Sequence, residues 1–280
     1  MEYKMICIDL DGTLLNKIKR ISTKDRQAIK AAYSKGIKVV ITTGRLWNNA
    51  AYFSKILGVK APVIGANGAV IIDSDNEVIY KSVFSVSQCE KIHEILKKYK
   101  LFFHAHTVDS IYSNNKLFRI ATKIYLKNQS KVEGLAVKIN KINDIEEWNK
   151  IINENKDEIV KFIACTPNRS NMEKVKKELA EIEGINIFPS GGYNIEINKF
   201  IDCKGNAVKI LMKRYGIKKE EIICIGDNEN DISMIQAAGL GVAMGNAIKK
   251  VKENADYVTD TNNNSGVSKV INEFIFLQKG

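Results

Sequence analysis

The chain has 280 residues, which at ~150 residues per domain points to two domains. Hydrophobic residues make up 45% and charged residues 27%, a globular composition that excludes disorder, collagen and coiled coil. No apolar run reaches the ~18 residues of a membrane span. Lys and Arg number 43 against 32 Asp and Glu, a net charge of +11. The lysines are scattered along the chain, so the excess reads as a solvated surface biased toward small anions, with no nucleic-acid or membrane partner. Acidic Asp9 and Asp11 arrive after only a short apolar stretch, which leaves no signal-peptide core. The cysteines (Cys7, Cys89, Cys165, Cys203, Cys224) lack CxxC spacing, against zinc and disulfides. The expectation is a soluble, cytoplasmic protein.

In chain order, Lys4 to Asp9 reads as a short buried strand that ends in Asp11-Gly12-Thr13. Thr23 to Lys35 carries apolar residues at helical spacing and stops at Gly36. Ile37 to Ile41 is a β-branched strand ending in Thr42-Thr43-Gly44-Arg45, followed by a helix from Leu46 to Leu57. Val63 to Ala66 is a third strand, ending in Asn67-Gly68. Two short strands, 69–72 and 78–81, flank the turn at Asp73-Ser74-Asp75-Asn76. From 206 onward, helices (206–215, 230–237, 247–253, 267–276) alternate with strands (222–225, 240–243, 256–258). Such alternation predicts an α/β fold, a three-layer Rossmann-like core with a parallel sheet. Its ligand belongs outside the carboxyl ends of the strands, where the polar clusters after Asp9, Ile41, Ala66 and Ile225 fall.

Between Val83 and Pro189 the pattern changes. Helices at 88–98, 117–127, 145–155 and 172–182 alternate with strands at 101–106, 135–139 and 159–165. None of these strands ends in an acidic or phosphate-cradling cluster. This stretch reads as an inserted α+β cap domain, residues 83–189, between core segments 1–82 and 190–280.

Two carboxylates one residue apart at a strand end, Asp9 and Asp11, can address a cation and a substrate together. Gly12 permits the sharp exit from the strand, and paired carboxylates suit a hard ion such as Mg²⁺. A calcium-type or simply solvated turn is the alternative reading. Gly226-Asp227-Asn228-Glu229-Asn230-Asp231 forms a second acidic strand end, with more polar residues than a helix cap needs. Thr43 and Gly44 offer a hydroxyl and backbone N–H groups at a helix start, a phosphate cradle. Lys204, before another helix, can bring a cation to the same face, though alone it would be a surface lysine.

Together, DLDGT at Asp9–Thr13, TTGR at Thr42–Arg45, Lys204 and GDNEND at Gly226–Asp231 resemble the haloacid dehalogenase superfamily, specifically its Cof-type phosphatases. Asn67-Gly68 also looks like that subfamily. The resemblance covers essentially the whole chain, with the insert between the second and third motifs. It implies an Mg²⁺-dependent phosphatase for small phosphate monoesters, sugar phosphates or phosphorylated cofactors, working through an aspartyl-phosphate. Asp9 would be the nucleophile and Asp11 the general acid and base. Mg²⁺ would be held by Asp9, the Asp11 backbone carbonyl and Asp227. The Leu10 backbone, Thr43, Gly44, Lys204 and Asn230 would hold the phosphoryl oxygens, with Asp231 orienting Lys204 or a metal-bound water. Aspartate at position 11 separates phosphatases and phosphomutases from pumps and dehalogenases of the superfamily. A phosphomutase, or a catalytically silent sensor of a phosphorylated ligand, is the rival reading. No motif in the insert reads out the substrate.

Two further signals are weaker. Gly239 to Gly245 has GxGxxxG spacing, with its first glycine before the strand, which suits packing better than a dinucleotide cofactor. His104 and His106 lie on one strand face. They could form a metal half-site without a visible third ligand, or touch substrate; a solvated face is the expectation.

Overall fold

The structure is a computed structural model and describes residues 2–189 and 193–277. In chain order the first elements are β1 (Met5–Asp9), α1 (Thr23–Ser34), β2 (Lys38–Thr42), α2 (Trp47–Leu57), β3 (Val63–Gly65), β4 (Val70–Ile72) and β5 (Val78–Lys81). There follow α3 (Val86–Lys98), β6 (Phe102–His106), β7 (Ser110–Ser113), α4 (Lys116–Tyr125), β8 (Lys138–Lys141), α5 (Ile145–Glu154), β9 (Lys161–Cys165), α6 (Arg169–Ala180), β10 (Ile185–Pro189) and β11 (Asn194–Lys199). The last stretch holds α7 (Lys204–Tyr215), β12 (Ile222–Gly226), α8 (Ile232–Ala237), β13 (Leu240–Ala243), α9 (Lys249–Lys252), β14 (Tyr257–Val258) and α10 (Gly266–Ile271). No helix among the described residues is long and apolar enough to cross a membrane.

The chain divides into two compact units, the first made of 1–45, 50–79 and 203–280, the second of 46–49 and 80–202. The first unit is built on a sheet with strand order β14-β13-β12-β1-β2-β3-β4-β5. Pairing is parallel from β14 to β3 and turns antiparallel at β3–β4. Strands β1 and β12 are buried along their whole length, which is why they read as continuous apolar runs instead of alternating ones. Cys7 and Cys224 face each other across that pair as free, buried thiols. The turn before β5 is closed by Asp73, whose Oδ1 accepts the backbone N–H groups of Asp75 and Glu77.

Helix α1 starts at Ser22, whose hydroxyl accepts the Asp25 N–H, and buries Ala28, Ile29 and Ala32. Asp25 reaches across to accept the Ser268 N–H of α10 at 2.8 Å, tying the first helix to the last. Helix α7 packs against α8 so closely that a Cβ on Gly205 would lie 2.3 Å from the Ser233 carbonyl oxygen. Only a glycine allows that approach, and it presses the start of α7 against the loop after β12.

The second unit has a sheet ordered β10-β11-β9-β6-β7-β8, antiparallel except for β7–β8. Helices α3, α5 and α6 cover one face over a core that contains Phe84, Phe103, Trp148, Phe162, Val175 and Leu179. Trp148 is fully buried, with Phe103, His93 and Phe162 ring centroids 5.5, 5.3 and 5.9 Å away.

The sequence pattern misplaced several elements here. Residues 135–137 are not strand, because the Leu135 carbonyl accepts from the Gln129 side chain at 2.6 Å and closes a loop instead; β8 begins at Lys138. Strand β7 is short and carries two serines among its four residues, too little apolar signal to read. Strand β11 pairs with β9 and β10 in the second unit's sheet. The expected boundary at 189/190 abuts residues 190–192, outside the described residues.

His104 and His106 are not a solvated face; they are 4% and 6% exposed. The His104 ring stacks on Phe118 and its Nδ1 pairs with the Ser113 hydroxyl at 2.8 Å. Burial lowers the His104 pKa to about 4 and, with Lys161 opposite, pushes His106 well below the ordinary range, so both rings are neutral at pH 7.

Because Trp148 contacts both strands and helices of the second unit, Trp148→Ala is expected to cost ~3–5 kcal/mol of that unit's stability. Urea unfolding followed by circular dichroism measures this, and an unchanged midpoint would contradict the packing described.

Candidate active site

Strand β1 delivers Asp9 to the carboxyl end of the first unit's sheet, 5% exposed. The chain then turns through Gly12, at φ +89°, where a Cβ would lie 2.2 Å from Asp227 Oδ2. The turn therefore sets Asp9 and Asp227 beside one another, and the Thr13 hydroxyl donates to Asp227 Oδ1 at 3.0 Å.

Lys204, at the start of α7, is fully buried. Its ammonium donates to Asp9 Oδ1 at 2.6 Å and to Asp231 Oδ1 at 2.5 Å. Asp231 Oδ2 accepts the backbone N–H groups of Asp227 and Asn228 at 2.9 and 3.0 Å. One carboxylate thus holds both the lysine and the loop that carries Asp227. Asn230 donates to Asn67 Oδ1 at 3.1 Å, so the third strand end meets the same loop. Asn67 takes a left-handed conformation, φ +59°, which asparagine tolerates better than most residues.

Asp9, Asp227 and Asp231 each place an oxygen within 4.8 Å of the others. Burial pushes the Asp9 carboxyl up; Lys204 opposes that, and the charges of Asp231 and Asp227 reinforce it. Burial and the Asp231 charge push Asp227 up to about 6. Lys204 gains more from Asp231 and Asp9 than burial takes away, and stays protonated. Three carboxylates against one ammonium leave net negative charge in a dry place, where two like charges at ~4 Å repel by ~4 kcal/mol at an effective dielectric of ~20. A hard divalent cation relieves that repulsion. With Asp231 already engaged by Lys204 and two N–H groups, the Asp9 and Asp227 carboxylates are the ones that fit it. The Asp11 carboxylate stands outside this set of three.

Asp11 instead meets two cations. Arg45 Nε and Nη2 donate to its two oxygens at 2.6 and 2.7 Å, and the Lys19 ammonium adds a bond at 2.7 Å. Burial pushes the Asp11 carboxyl up, but Arg45 and Lys19 outweigh it and hold it at about 2. In this arrangement Asp11 is a carboxylate at neutral pH and can accept a proton; donating one requires the Arg45 contact to open. Arg45 and Lys19 carried no role in the sequence reading. Arg45 closes the TTGR motif, a visible signal, whereas Lys19 is one lysine among many.

The Thr43 backbone N–H donates to the Ile64 carbonyl at 2.8 Å, one residue past the end of β2. The Thr43 hydroxyl accepts the Arg45 N–H at 3.2 Å, and Gly44 continues the same turn. The Leu10 carbonyl accepts the Leu15 N–H at 2.8 Å, while the Leu10 side chain is core.

Arg45→Ala is expected to raise the Asp11 pKa from about 2 toward its ordinary ~3.9. The native pair stabilises the fold above that ordinary value and loses its effect as pH falls toward the folded one. The stability gap between native and variant chains therefore narrows in acid. Carboxyl ¹³C NMR titration, with Asp11→Asn for assignment, measures the shift; an Asp11 still titrating near its native value in the variant would refute the pairing.

Comparison with known proteins gives the family. Residues 6–271 match the family model of haloacid dehalogenase-like hydrolases. The chain is 32% identical to 5-amino-6-(5-phospho-D-ribitylamino)uracil phosphatase YcsE of Bacillus subtilis, over 98% of this chain and 97% of that protein. It is 31% identical to phosphatase YwpJ of the same organism, over 97% and 100%. Among solved structures, TM0651 from Thermotoga maritima superposes with a TM-score of 0.81 at 32% identity, covering 97% of each chain. Matched by that family's model over almost its whole length and more than 30% identical to such relatives, the chain, with its α/β core, belongs to the haloacid dehalogenase-like hydrolases.

Proposed function

We propose that this hydrolase is a phosphatase that cleaves small phosphate monoesters, with Asp9 as the nucleophile. One observation carries the reading: a buried carboxylate at the end of a central strand, held from one side by Lys204, which Asp231 in turn fixes. A lysine in that position keeps Asp9 oriented and opposes the charge of an incoming phosphate. Attack of an Asp9 oxygen on phosphorus displaces the alcohol and leaves an acyl phosphate on Asp9, which water then hydrolyses. Asp11, protonated with the Arg45 contact open, can give its proton to the leaving alcohol; the carboxylate that remains then takes the proton of that water, which restores the acid.

Mg²⁺ is the cofactor this reading names, held by the Asp9 and Asp227 carboxylates together with the Asp11 backbone carbonyl. Bound there, it would neutralise charge on the phosphoryl oxygens and on the carboxylates. Lys204, Thr43, Gly44, Asn230 and the Leu10 backbone are the groups proposed around the phosphoryl group. The first unit holds every one of these residues and is the catalytic one in this reading, with the second as the inserted domain. The name of YcsE points to a phosphorylated sugar alcohol as one substrate class, in keeping with a small phosphorylated metabolite as partner. The free cysteines suit a reducing cytoplasm.

The test is release of phosphate from p-nitrophenyl phosphate with Mg²⁺ and with EDTA. Activity is expected to require the ion and to fall by more than ~10³-fold in Asp9→Asn. Activity that persists in Asp9→Asn would remove Asp9 as nucleophile. With a sugar phosphate, recovery of an isomeric phosphate ester in place of inorganic phosphate would identify a mutase.

A further inference from the structure

Helix α4 of the second unit exposes an apolar face. Leu117 is 77% exposed, Ile120 47%, Ile124 69% and Tyr125 53%. Positions 117, 120 and 124 share one side of a helix, three and four residues apart. No residue of α4 is fully buried. The helix is anchored by its other side: Phe118 stacks on His104, and Arg119 donates to the Ser113 carbonyl at 2.8 Å. The apolar stripe therefore points outward and cannot roll under.

The charge around it has one sign. No acidic residue occurs from Ser110 to Val132, while Lys116, Arg119, Lys123, Lys127 and Lys131 do. Lys116 and Lys123 fall on the flank of the stripe by helical spacing. A protruding Leu and Ile stripe, a tyrosine at its margin and cations alongside form the pattern of a helix that lies in the plane of a lipid interface.

We propose that the outward face of α4 docks on a bilayer surface carrying anionic lipid. The apolar side chains enter the boundary between headgroups and acyl chains, and the lysines meet the lipid phosphates. A second copy of the chain fits less well, because a face-to-face pair would set Lys116 and Lys123 against their own counterparts. Such a surface needs no matching groove, in keeping with side chains that carry no polar atoms to read one.

The experiment is flotation of the full chain with vesicles of phosphatidylcholine alone or mixed with phosphatidylglycerol. Binding is expected to be about tenfold stronger to the mixed vesicles and to weaken as salt rises. The double variant Ile120→Asp/Ile124→Asp should lose it while keeping the native thermal midpoint, since both side chains are exposed. Lys116→Glu/Lys123→Glu should lose the preference for phosphatidylglycerol. No binding to mixed vesicles, or equal binding by both variants and the native chain, overturns the proposal. Self-association that the Ile120→Asp/Ile124→Asp variant abolishes, without vesicle binding, overturns it too and gives the face to a second copy.

Discussion

The rest of the site depends on a single buried ammonium between two carboxylates. Lys204 has no water to solvate it, so its charge persists only because Asp9 and Asp231 supply oxygens at hydrogen-bond distance. Removing either partner would leave an uncompensated buried charge, the costliest way to break such a group. This requirement reaches outward. Asp231 must stay where two backbone N–H groups hold it, and α7 must sit hard against α8 for Lys204 to reach. The close helix contact at Gly205 and the turn at Gly12 serve that geometry before they serve any chemistry.

Surroundings separate carboxyls that look alike in the sequence. Asp9 and Asp227 are raised first by burial, with neighbouring carboxylates adding to it. Asp11, two residues along, sits where cations outnumber carboxylates and its pKa falls. Neighbouring carboxyls with opposite shifts are how one site divides nucleophile from proton carrier. The partners each one meets decide the difference, since Asp9 faces Lys204 beside Asp227 and Asp231, whereas Asp11 faces Arg45 and Lys19.

How much was legible follows from where the signal came from. The core strands were readable because burial on both faces forces β-branched apolar runs, and the site because each run ends abruptly in polar residues. Asp9, Asp227, Lys204 and Asn230 meet in space because parallel strands line up their ends, a property of topology that alternation already implied. The Arg45–Asp11 contact was hidden because nothing in a linear motif says which cation a carboxylate faces. In the second unit, β11 carries the alternating Ile195 and Ile197 that mark a half-buried strand, a signal present but unread beside β10. His104 and His106 misled because histidine is common on wet strands; their burial comes from neighbours, Phe118 among them, that are distant in sequence.

One feature of the sheet bears on how the chain is made. Strand β1 lies between β2, which follows within a few dozen residues, and β12, which begins at Ile222. On a ribosome working at about 5–20 residues per second, β1 waits on the order of 10–40 s for that second neighbour. Through that interval the first unit has an open sheet edge at β1 and no complete core, while the inserted unit, contiguous from 80 to 202 apart from a short earlier piece, can already close. The nascent chain thus carries a finished second unit before the first is complete, and the exposed apolar edge at β1 is the part of the chain that most needs shelter during synthesis.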